Sequence, residues 1–122
     1  MSALRLVAIL LALSLMIGEA YRSWGAGRPA PLWLDDMFAG ALLIGSALAL
    51  RQETPARRAF FTGAWGVAAG LLYGSFFGKV FEPQTQNAGN FPLGLLTVLV
   101  GAAFAVAVAG FVFSLLIPFR SR

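Results

Sequence analysis

The 122-residue chain has no cysteine and no histidine. Without cysteine there is no disulfide framework, no thiol nucleophile and no thiolate metal site. Without histidine the most used general base is missing, and with it the usual haem and zinc ligand. Charge is scarce as well: charged residues make up 11% of the chain, against about 25% in an ordinary soluble domain. Nine basic and five acidic side chains cannot cover a folded domain of this size in water. These shortages exclude a soluble monomer and leave little from which to build a catalytic centre. No enzyme activity, no metal and no cofactor is expected.

What is present is apolar. Hydrophobic residues make up 59% of the sequence, and its mean hydropathy is +0.80. Four stretches carry no charge: 6–18, 37–50, 59–78 and 91–117. A helix crossing a hydrocarbon core about 30 Å thick needs roughly 20 residues. The third and fourth stretches meet that length, and the first two meet it if their ends reach into the interface. For the first, Arg5 and Arg22 have long stems that can snorkel, and Tyr21 and Trp24 suit headgroup depth. This stretch also has the outline of a signal peptide, with Arg5, an apolar run and the small-x-small Gly18-Glu19-Ala20; it is read here as a span.

Pro29 and Pro31 forbid one unbroken helix through the first two stretches. Residues 24–31 are therefore expected to turn at the surface, with the second helix beginning near Leu34 or Asp35. Thr54-Pro55 has the chemistry of a helix start, and 82–90 is a polar loop. The expected fold is an all-α integral membrane four-helix bundle with short hairpin loops. It forms a single transmembrane domain over 1–122, with spans at 4–24, 34–50, 57–79 and 92–117.

The net charge of +4 could signal a nucleic-acid partner, but no basic stripe interleaves with aromatics. The bases flank the apolar runs instead. Arg5, Arg51, Arg57, Arg58, Arg120 and Arg122 fall on the N-terminus, the middle loop and the C-terminus; Arg22, Arg28, Lys79 and four of the five acids fall on the opposite connections. The positive-inside bias then places both termini in the cytoplasm, with the chain in a bacterial-type plasma (inner) membrane. The partners expected are the lipid bilayer and either another membrane protein or a second copy of the chain, not nucleic acid.

The sharpest pattern lies in the third span, where Thr62, Gly66, Gly70, Gly74 and Gly78 recur at every fourth residue. Glycine in a helix costs about 1 kcal/mol against alanine; what it gives in a membrane is close approach of a second backbone. The fourth span has Thr97, Gly101, Ala105 and Ala109 at the same spacing, and the second has Ala41, Gly45 and Ala49. Two readings follow: the stripes face one another inside one chain, or the third-span stripe packs against another copy or lines a pore.

A second feature is the polar group Glu19, Arg22, Asp35 and Asp36 near the outer face. Two aspartates at a helix start would satisfy orphan amides and the macrodipole, and Glu19 lies one turn from Arg22. The alternative is a proton or cation relay. The third-span aromatics Phe60, Phe61, Trp65, Tyr73, Phe76, Phe77 and Phe81 are expected mostly to face lipid or to form interfacial belts. Ser14, Ser46, Ser75, Ser114 and Thr97 have no base near them in sequence. The function expected by subtraction is non-catalytic: an accessory or packing subunit of a membrane complex. The competing expectation is a small homo-oligomeric channel or transporter with the glycine stripe at its seam.

Overall fold

The structure, a computed structural model, describes residues 2–25, 30–85 and 91–118. Four α-helices run through them: α1 (Ser2–Ser23), α2 (Ala30–Ala49), α3 (Pro55–Phe81) and α4 (Leu93–Leu116), with one 3₁₀ turn at Pro83–Thr85. There is no strand among the described residues. Three helices, α1, α3 and α4, are long and apolar enough to cross a membrane. At about 1.5 Å per residue, they measure about 33, 40 and 36 Å. Arg28, Arg120, Arg122, residues 26–29 of the expected surface turn and residues 86–90 of the polar loop lie outside the described residues.

The helix ends follow local chemistry. Thr54 is extended, with φ −126°, and its hydroxyl accepts the Arg57 N–H at 3.1 Å, while Pro55 opens α3. Pro92 precedes α4 and Pro118 follows it, holding Ile117 in an extended conformation with ψ 127°. The second helix departs from expectation. It begins at Ala30 and takes Pro31 into its first turn, where the missing proline N–H is harmless. Asp35 and Asp36 therefore lie more than a turn inside α2 and do not cap it.

The helices pack as antiparallel neighbours, α1 on α2, α2 on α3 and α3 on α4, with a thinner contact of α1 with α4 closing the ring. Small residues set the α1–α2 spacing: Ala8 and Ala12 on one side, Ala39, Gly40 and Ala47 on the other, all buried. A Cβ at Gly40 would lie 2.5 Å from Met16 Cγ and 3.2 Å from the Ala12 carbonyl oxygen. Across α3–α4 the match is ring into gap: Trp65 covers Gly110, Phe76 covers Gly101, and the Phe111 ring comes within 3.3 Å of where a Gly66 Cβ would stand. Phe61 and Trp65 are wholly buried core residues, contrary to the lipid-facing role expected of these aromatics. Tyr73, Phe76 and Phe77 gather round Phe104 on α4, with ring centroids 5.9–6.2 Å from it.

Candidate functional site

Charge is segregated to the two ends of the bundle, and each end is built differently. At the end formed by the C-termini of α1 and α3, three charged side chains are buried: Glu19 at 3% exposure, Arg22 at 7% and Lys79 at 3%. Arg22 Nη1 lies 3.5 Å from Glu19 Oε2, and Ser23 Oγ donates to Glu19 Oε1 at 2.9 Å. The antiparallel register that sets Gly40 against Met16 also brings the half-buried Asp36 side chain beside Glu19. Asp35 is exposed, and its carboxylate accepts the Asp36 backbone N–H at 2.8 Å. Lys79 Nζ donates to Ser75 Oγ at 2.8 Å and to the Ser75 carbonyl at 3.3 Å.

The i,i+3 pair of Glu19 and Arg22 is thus present, but inside the bundle. Arg22 does not snorkel to the surface; its side chain turns inward, where the Glu19 carboxylate offsets the desolvation of its charge. Asp36 joins the pair from the second helix and Asp35 stays outside it. Lys79, read in the sequence only as a flanking charge, is as buried as Glu19. Glu19 and Asp36 sit on different helices, so the cluster lies at the junction of α1 and α2.

The opposite end carries the arginines. Neither α2 nor α4 has a basic residue in its last turn, so their terminal carbonyls need donors from elsewhere. Arg5 Nε on α1 donates to the Ala47 carbonyl at 2.7 Å, Arg51 Nε to that of Leu48 at 3.3 Å, and Arg57 Nη1 on α3 to that of Ala49 at 3.0 Å. Arg58 closes α4 in the same manner. Its Nη2 donates to the carbonyls of Ser114, at 2.8 Å, and Ile117, and its Nη1 pairs with Glu53 Oε1 at 2.8 Å. Such bonds matter most where water is scarce, because an orphan carbonyl in hydrocarbon costs several kcal/mol. In the sequence these arginines read as topology markers, and Arg5 also as a snorkelling side chain. The missing basic residues at the ends of α2 and α4 were the signal that they had a second role.

The small-residue stripe does not lie on one seam. Thr62 and Gly66 are half-buried beside α4, but Gly70 and Gly74 are exposed, and a Cβ at either would meet nothing within 4 Å. Gly78 is half-buried near the end of α3, where its carbonyl accepts the Glu82 N–H at 2.8 Å. On α4, Thr97 Oγ1 returns a bond to the Leu93 carbonyl at 2.7 Å. Gly101 lies under Phe76, while Ala105 and Ala109 are exposed. The expectation that the stripes face one another inside the chain is therefore corrected. Residues four apart advance about 40° per step at 3.6 residues per turn, so Thr62 and Gly78 differ by about 160° around α3.

The hydroxyls are engaged locally. Ser14 donates to the Leu10 carbonyl, Ser46 to that of Leu43 and Ser114 to that of Phe111, the usual behaviour of such residues inside helices. Among the described residues, no group of three or more acidic, histidine or cysteine side chains is placed to hold a metal ion. No protein-family profile, no curated protein and no solved structure significantly matches the chain.

Proposed function

We propose that the chain is a non-catalytic four-span membrane protein that acts as an accessory subunit, docking the outward side of α3 against a transmembrane helix of a partner. In this reading α2 is the fourth span, and its 20 residues give about 30 Å. The arginine end lies in the cytoplasm of a bacterial-type inner membrane with both termini, and the Glu19–Asp36 end lies outside. The observation that carries the reading is the open space over Gly70 and Gly74 in the middle of α3. Two glycines there weaken a helix without serving a contact inside the chain, and a close-packed external helix is what gives them a use. The engaged hydroxyls and the filled core at Leu43, Phe61, Trp65 and Leu72 fit a packing role better than a chemical one.

Photo-crosslinking in native membranes tests this. A photoreactive residue in place of Gly70 is expected to give one discrete adduct with an unrelated protein. The same probe in place of Val98, 67% exposed on α4, is expected to give lipid adducts. Adducts of Gly70 with a second copy of the chain would shift the function to the homo-oligomeric channel or transporter. No protein adduct at all would refute both.

A further inference from the structure

The arginine end holds a groove of about 670 Å³ on the flank of the bundle, lined by Gly45, Leu48, Ala49, Arg51, Gln52 and Arg57. Its two halves differ in chemistry. The lower wall is the last turns of α2, where Leu48 is exposed and a Cβ at Gly45 would meet nothing within 4 Å. The upper rim is Arg51, Gln52 and Arg57, just past the end of the apolar stretch. Among the described residues neither arginine has a carboxylate partner: Glu53, the acid of this loop, is taken by Arg58. Arg51 and Arg57 each give a side-chain bond to an α2 carbonyl, and a guanidinium has five N–H donors. Among the described residues two charges are thus uncompensated at the rim of a groove with one short apolar wall.

We propose that this groove binds an anionic phospholipid, with the phosphate between Arg51 and Arg57 and an acyl chain along Gly45 and Leu48. Charge complementarity selects the occupant. Two guanidiniums suit the oxygens of a phosphodiester, and basic pockets beside transmembrane helices suit anionic head groups. The apolar wall distinguishes a lipid from a free anion, which would fill only the rim. Gln52 adds a neutral hydrogen-bonding group for the rest of the head group. The inference rests on this end lying at a membrane surface, but not on any partner for α3.

The test reconstitutes the full chain in vesicles of phosphatidylcholine with one quarter phosphatidylglycerol, then re-extracts it and measures the lipid retained by native mass spectrometry. Wild type is expected to retain phosphatidylglycerol in preference to phosphatidylcholine. Arg51→Gln with Arg57→Gln is expected to lower that preference, roughly fivefold for each charge lost near the surface. Arg57 also caps α2, so Gly45→Leu, which fills the slot and leaves both arginines, provides the second variant and should lower retention too. Arg5→Gln removes the same charge at the same end outside the groove and should change little. Equal retention of the two lipids by wild type overturns the proposal, as does a Gly45→Leu protein that retains phosphatidylglycerol normally, or an Arg5→Gln loss equal to that of the groove variants. Inorganic phosphate that competes the lipid away would show an anion site and overturn it also. Failure to enter vesicles would instead refute the membrane reading.

Discussion

Gly110→Ala offers the most direct test of the α3–α4 seam. A Cβ at this position would stand within 2.6 Å of three atoms of the Trp65 ring, where ordinary carbon contacts lie at about 3.5–4.0 Å. The overlap is about 1 Å, and Trp65 is wholly buried, so the ring has no solvent to swing into. Overpacking of this kind costs about 1–3 kcal/mol. A wholly buried ring that cannot move aside puts this case in the upper part of that range, about 2–3 kcal/mol; alanine recovers up to about 1 kcal/mol of helix preference over glycine, leaving about 1–2 kcal/mol when all of that is recovered. For a chain of this size, that lowers the apparent Tm of the detergent-solubilised protein by about 3–8 °C. Gly70→Ala has the opposite sign, because its Cβ meets nothing within 4 Å; its Tm should hold or rise. In a Trp65→Leu background the ring is gone, and the added methyl should no longer destabilise. A Gly110→Ala protein as stable as wild type, or one equally impaired with and without Trp65, would refute the packing described for this seam.

Three further outcomes follow from the ends of the bundle. Arg58→Met removes the donor that closes α4 and leaves Glu53, whose side chain is 17% exposed, without its partner; a loss of about 2–3 kcal/mol is expected in thermal unfolding, with Arg58→Lys recovering only part of it. Arg22→Met removes the cation beside the buried Glu19 and is expected to cost about 3–5 kcal/mol, whereas adding Glu19→Gln should restore part of the stability; a double variant no better than the single would show that Glu19 does not depend on Arg22. Since the chain has no native cysteine, single cysteines at the exposed Gln52 and Gln84 can be labelled with an impermeant thiol reagent. Only Gln84→Cys should react from the outside, and equal labelling of both from one side would remove the four-span topology.

Features with a local cause were legible in the sequence. The four apolar stretches became the four helices, Thr54-Pro55 opened α3, and Glu19 paired with Arg22 one turn away. Features decided by a distant partner were not. Arg58 and the Ser114 carbonyl are 56 positions apart, and no local pattern joins them. Regular spacing is also a weaker guide than helix geometry. Spacing of four marked Gly70 and Gly74 as a seam with Gly66, though helical drift turns them outward. Ala8, Ala12 and Ala39 carry no such signal, because alanine is common in any apolar run, yet they let α1 and α2 touch. The start of α2 is not legible because Pro31 reads as a barrier in the sequence, whereas a first-turn proline loses no bond.

The arginine end also bears on the order in which such a chain can be assembled. Arg5 belongs to the same hairpin as the α2 carbonyl it serves, and Arg58 to the same hairpin as the end of α4. Each hairpin therefore carries at least one donor for its own exposed end. In the proposed four-span topology, a nascent α1–α2 pair enters the bilayer with a cap already in hand, before α3 has left the ribosome. Arg57, which reaches back from α3 to Ala49, then latches the second hairpin to the first.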